Sequence, residues 1–120
     1  MAKPPDPFHE FVVELFAPMG PVTIKRMFGG AGVYAAGVMF ALVADDEIYL
    51  KVDDALKVDL EDKGSAPFTF EMKDGKSAQM NYYRIPSDAM DHDEDASEWG
   101  RRALDVALKA KAAKAPKKKR

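Results

Sequence analysis

Apolar positions along this chain recur first at helical spacing, then at alternate residues, then at helical spacing again. This succession predicts the order of elements. Phe8, Phe11, Val12 and Leu15 fall on one helical face, and Phe16 widens the stripe. Asp6 is suited to cap that helix and Pro7 to its first position, while Pro18, Gly20 and Pro21 end it. Ala31 to Val52 then reads as three strands. Gly32-Val33-Tyr34 is short and β-prone, and Ala36-Gly37 turns the chain. Val38 to Val43 is nearly continuous in apolar residues, as a strand covered on both faces would be. Asp45-Asp46 turns it again, after which Ile48, Leu50 and Val52 alternate with Tyr49 and Lys51 in a half-buried strand pattern.

Asp53 is placed to cap a second helix, with Leu56 and Leu60 four apart and Gly64 as its stop. Pro67 opens a strand carrying Phe68, Phe70 and Met72 on one face. Asp74-Gly75 is a hairpin signal, because a type I′ turn needs positive φ at both central residues. Met80 to Ile85 is the returning strand, closed by Pro86. The last helix is predicted from Asp95, which forms a capping-box pattern with Glu98; Trp99, Ala103, Val106, Ala107 and Ala110 share a stripe, with Leu104 and Leu108 beside it. The order α-β-β-β-α-β-β-α, with hairpin-length links, predicts a two-layer α+β domain with a mostly antiparallel five-stranded sheet. Residues 1–112 form that domain, and 113–120 form a basic tail with no regular structure.

Composition narrows the class. At 120 residues the chain suits one domain with a core of its own, and 47% hydrophobic with 32% charged residues is a globular balance. The absence of cysteine excludes disulfides and thiolate metal sites and fits a cytoplasmic address. Met1 to Pro7 has no apolar signal-peptide core, and no run approaches the roughly 18 apolar residues of a membrane span, so no membrane association is expected. The net charge of −2 conceals an asymmetry: Lys109 to Arg120 holds seven basic residues and no acid, which leaves eleven basic against 20 acidic residues elsewhere.

Candidate chemistry is sparse. Arg26-Met27-Phe28-Gly29-Gly30-Ala31-Gly32-Val33-Tyr34 joins a cation, large apolar groups and three closely spaced glycines ahead of a strand. A dinucleotide fingerprint would need a third glycine where Ala35 stands, and a helix where a strand follows. Close approach of two backbones is the better account of the glycines. Asp91, Asp93 and Asp95 match the first ligands of a calcium loop, but Ala96 replaces its glycine and Arg102 its bidentate acid. These acids suit the positive end of the last helix instead. Two histidines, His9 and His92, and no cysteine leave little for zinc or covalent catalysis. Neither an enzyme nor a cofactor is expected.

Tyr82 and Tyr83 are strand neighbours, so one should enter the core and the other face outward, on the same side as Tyr49 and Lys51. Aromatic and basic groups on a sheet suit base stacking or a partner protein. The basic tail, with Lys114, Lys117, Lys118, Lys119 and Arg120, suits phosphate contacts without sequence preference, or plain solvation.

Together these residues resemble the N-terminal domain of the TfoX/Sxy family, regulators of competence genes. The likeness is carried by Ile24 to Tyr34, Gly37 to Val43, Tyr49 to Asp53, Pro67-Phe68, Tyr82 to Pro86 and the helix from Trp99 to Ala107, and it spans about Phe8 to Ala110. It implies an α+β fold with an antiparallel sheet and no catalytic site. Full-length members carry a second, helical domain where this sequence has the basic tail, so a stand-alone form is expected. The resemblance implies a regulatory or adaptor domain that binds a protein partner of the transcription machinery, as monomer or homodimer. It puts Arg26, Phe28, Gly29, Gly30, Tyr34 and Lys51 at issue as partner-binding residues. Weakly specific nucleic-acid binding through the tail is the alternative.

Overall fold

The structure is a computed structural model that describes residues 7–27, 30–71 and 77–114. Helix α1 (Pro7–Leu15) runs into a 3-10 turn (Ala17–Met19). Four strands follow, β1 (Thr23–Met27), β2 (Gly30–Ala35), β3 (Val38–Ala44) and β4 (Glu47–Lys51), then helix α2 (Asp54–Asp62). Strands β5 (Pro67–Glu71) and β6 (Ser77–Arg84), a 3-10 turn (Ser87–Asp91) and helix α3 (Asp93–Lys114) complete it. The sheet has the order β1-β2-β3-β4-β6-β5 and every pair is antiparallel. β4-α2-β5 is therefore a split crossover, with β6 inserted between its two strands. The Asp74-Gly75 link and Met72 lie outside the described residues.

The predicted α+β architecture holds, with one correction: the sheet has six strands rather than five. The added strand is β1, whose Lys25 and Arg26 masked its alternation. An edge strand tolerates such charges because one flank faces water.

Two turns are tight for a physical reason. Ala36 and Gly37 (φ 53° and 81°) join β2 to β3, and Asp45 and Asp46 (φ 53° and 60°) join β3 to β4. Each is a two-residue loop with positive φ at both positions, the geometry whose twist matches paired strands.

One layer of helices covers one side of the sheet. Val12, Leu15 and Phe16 from the first helical segment, Leu56 and Leu60 from α2, and Ala96, Ala103, Val106 and Ala107 from α3 pack on Ala31, Val33, Val43, Ile48, Leu50 and Tyr83. Within β3 the register slips by one residue between Val33↔Ala41 and Tyr34↔Met39, so Phe40 is the extra residue of a bulge. Phe40 and Ala41 consequently both turn to the helix side and are fully buried. This corrects the reading of the Val38–Val43 run. Among the described residues helices cover one of its faces, and Met39 and Leu42 point the other way.

Local chemistry fixes the helices. Asp53 accepts the Leu56 N–H at 2.9 Å, the predicted N-cap of α2. Gly64 (φ 85°) closes it, its N–H donating to the Glu61 carbonyl while the Ser65 N–H returns to Leu60. α3 begins at Asp93, two residues before the predicted start. The Ala96 N–H already donates to the His92 carbonyl at 2.9 Å, so Asp95 and Glu98 lie inside the helix and make no capping box. Asp93, Glu94 and Asp95 fill its first turn, opposite in sign to the dipole there. Buried Ser97 donates to the Leu15 carbonyl at 3.2 Å, which occupies one of the acceptors left free at the end of α1. Phe11, expected on the apolar face of α1, stands 37% exposed beside Phe8, because Val12 and Leu15 take the core positions.

Candidate functional site

Strand register places the side chains of the helix-free face in rows. Residues paired across antiparallel strands share a face, and alternate residues along a strand do too. One row runs Lys25, Gly32, Leu42, Tyr49, Arg84 across β1, β2, β3, β4 and β6. The neighbouring row runs Thr23, Tyr34, Met39 and then the paired Lys51 and Tyr82. At the far end lie Gly30, Ala44 and Glu47. Leu42 and Tyr82 are buried (7% and 6% exposed), yet neither belongs to the helix-side core; they form the floor of this second face.

Cations lie over the rings. Lys25 Nζ sits 5.4 Å from the Tyr34 ring centroid and Lys51 Nζ 5.3 Å from that of Tyr82, both within cation–π range. Tyr49 meets Phe68 edge-on at 4.9 Å. Burial pushes the Tyr82 phenol above its ordinary 10.0, and nearby Tyr34 adds to the rise. Tyr34 and Tyr82 stand on strands separated by β3 and β4. Tyr49 is raised as well, by burial first and then by Glu47, against a lowering pull from Arg84. Tyr83 points to the helix side, as its neighbour's orientation demands. Its hydroxyl donates to Glu61 at 3.0 Å, and burial first, then that carboxylate, raise its pKa. Tyr49, Lys51 and Tyr82 thus share the outer face, as the alternation predicts.

Among the described residues the side-chain donors of this face have no acceptors. Among the described residues no hydrogen bond or ion pair engages the side chains of Lys25, Lys51, Arg84, Tyr34 or Tyr82. No buried side-chain polar atom there lacks a partner, so the Tyr34 and Tyr82 hydroxyls reach the surface. The arrangement offers ammonium, guanidinium and phenol donors around an apolar floor.

The structure divides the predicted partner-binding set. Tyr34 and Lys51 come together on this face, and Gly30 sits at its rim. Arg26 pairs with Ala31 and so lies on the helix side of β1, exposed. Phe28 and Gly29 lie outside the described residues. Gly30 itself is explained by close approach rather than by backbone freedom: a Cβ there would fall onto the Val43 carbonyl oxygen. Lys25, Tyr49, Tyr82 and Arg84 complete the cluster and stand outside the predicted partner-binding set. Strand parity is the signal that gathers them: it already grouped Tyr49 and an outward tyrosine with Lys51, and it reaches Lys25 once β1 is recognised as a strand. In the tail, Lys114 ends α3, and Lys117, Lys118, Lys119 and Arg120 lie outside the described residues.

Hollows lie elsewhere on the described residues as well. A cleft of about 520 Å³ between the end of α2 and the start of α3 is lined by Trp99, Asp88, Asp95, Glu98 and Arg102. Arg102 already spans it, 5.5 Å over the Trp99 ring and 2.6 Å from Asp59. A hollow beside Gly30 is lined by Phe8, His9, Asp45 and Asp46. Among the described residues no group of three His, Asp or Glu side chains is placed to hold a metal, and no helix is long and apolar enough to cross a membrane.

Fold and face define a small two-layer α+β domain, with its helices on one side and an aromatic, cation-bearing sheet surface on the other. The chain belongs to the TfoX N-terminal domain family, whose model matches residues 14–107 of its 120. No curated protein matches it.

Proposed function

We propose that this domain acts by binding a protein partner through the helix-free face of its sheet, without turnover of any substrate. The observation that carries this reading is the gathering of Tyr34, Tyr49, Tyr82, Lys25, Lys51 and Arg84 on one sheet face, with no side-chain acceptor for their donors among the described residues. Aromatic rings with fixed polar tips give contact area at low entropic cost, and Tyr and Arg are enriched where interfaces draw their energy. The likeness to competence regulators directs the expectation to a component of the transcription machinery in the cytoplasm.

The test is affinity capture with identification of bound proteins by mass spectrometry. Wild type is compared with a Tyr34→Ala/Lys51→Ala variant and with a helix-side control, Lys57→Ala/Val58→Ala, whose residues are exposed on α2. Partners lost from the first variant and kept by the second support the face. Identical partner sets for all three proteins overturn the reading.

A further inference from the structure

We infer that the helix-free sheet face is a receptor for carboxylate side chains, and that its occupant is an extended acidic segment of the partner protein with Glu or Asp at alternate positions. The inference rests on the docking reading above and names the chemistry of what docks. Four observations carry it.

The first is donor excess. Lys25, Lys51 and Arg84 present positive charge, and Tyr34 and Tyr82 add hydroxyls, with no acceptor spent on them among the described residues. Charge-assisted hydrogen bonds to such donors are the strong ones. Burial keeps Tyr82 and Tyr49 protonated far above neutral pH, so their phenols remain donors.

The second is occupancy of the rings. Lys25 and Lys51 lie over the faces of Tyr34 and Tyr82. A nucleobase could stack there only by displacing an ammonium group, whereas a carboxylate meets that ammonium and the phenol hydroxyl together. The rings hold the cations in place, which lowers the ordering cost of binding.

Charge distribution is the third. Outside the basic tail the chain carries 20 acidic against eleven basic residues. The positive surface is local, and Asp45, Asp46 and Glu47 close one end of it. A nucleic-acid strand longer than the patch would run into that negative charge, while a short acidic segment fits within about one screening length.

Spacing is the fourth. Lys25 lies at the far side on β1, while Lys51 on β4 and Arg84 on the adjacent β6 stand in successive rows, two residues apart along the strands, roughly 7 Å. That is also the distance between alternate residues of an extended peptide. A segment lying along β4 and β6 presents alternate carboxylates to Lys51 and Arg84 in successive rows, beside the apolar side chains of Leu42 and Met39.

The experiment uses the full chain and a fluorescein-labelled eight-residue peptide of alternating Glu and Thr, with its Gln counterpart and a twelve-nucleotide oligo-dT as comparisons. Fluorescence anisotropy is expected to give saturable binding of the Glu peptide, weakened about ten-fold or more by Glu→Gln in the peptide, by Lys25→Gln/Lys51→Gln in the protein, and by raising salt. The peptide comparison does not depend on any protein variant folding. Equal binding of the Glu and Gln peptides, no saturable binding of either, or tighter binding of oligo-dT at the same lysines would each overturn the inference. A Glu peptide that binds only in competition with a second copy of this chain would overturn it in favour of self-association. Partner capture that requires Tyr34 and Lys51 but is unaffected by excess Glu peptide removes the acidic segment and leaves the docking face standing. Capture insensitive to both variants removes the docking face itself.

Discussion

Gly100 lies in the middle of α3, where helix propensity alone favours alanine by about 1 kcal/mol. The packing predicts the opposite outcome for Gly100→Ala. A Cβ at this position would stand 2.7 Å from Met19 Sδ and 2.9 Å and 3.0 Å from two carbons of the Phe16 ring, where ordinary contact begins near 3.4 Å. Met19 is unbranched and can swing aside. Phe16 is fully buried and meets Phe40 edge-on at 5.4 Å, so its ring has no vacant space to enter. Overpacking of this kind costs on the order of 1–3 kcal/mol. Set against the propensity gain, the variant should be less stable by about 1 kcal/mol, read as a urea midpoint lower by about half a molar. The decisive measurement is the same substitution in a Phe16→Leu background. Leucine is smaller, so the clash is relieved while the propensity gain remains, and Gly100→Ala should then stabilise by several tenths of a kcal/mol or more. If the substitution stabilises equally in both backgrounds, α3 is not held against Phe16 as described.

Two other predictions follow from local geometry and titration. Asp46→Gly should raise stability by about half a kcal/mol, because glycine accepts the positive φ of 60° without the cost an L side chain carries there; thermal unfolding of the variant beside wild type checks it. Tyr49, Tyr82 and Tyr83 all have folded pKa values above 10.0, so each holds its proton more tightly folded than unfolded. Their contribution is complete below about pH 10, the unfolded value, and is lost as pH rises through the folded values. Tyrosinate absorbance near 295 nm should therefore lag that of the urea-unfolded chain and rise together with unfolding. Superimposable titrations of folded and unfolded protein would contradict it.

Much of the fold was legible because local rules and global packing agree. Asp53 as N-cap, Gly64 as stop, the two-residue turns at Ala36-Gly37 and Asp45-Asp46, and the apolar stripe of α3 each follow from residue type and spacing. Strand β1 was not legible in that way. An edge strand with Lys25 and Arg26 at its centre reads as loop until β2 is seen to pair with it. The start of α3 shifted for a similar reason: several acids in succession all suit a helix N-terminus, and the 3-10 turn ahead of it selected Asp93.

Residue type and spacing alone set the class of domain, the turns, the caps and the parting of Tyr82 and Tyr83 to opposite faces, since alternation along a strand is a local property. Which residues meet across strands depends on the packing of the whole chain. Register placed Lys51 over Tyr82 and Lys25 beside Gly32, and a one-residue bulge at Phe40 sent two consecutive residues into the same core. The insertion of β6 between β4 and β5 brought Arg84 level with Tyr49, residues 35 positions apart in the chain. Pairing of distant strands depends on the burial of the whole helix-side core at once, and no segment carries that energy alone.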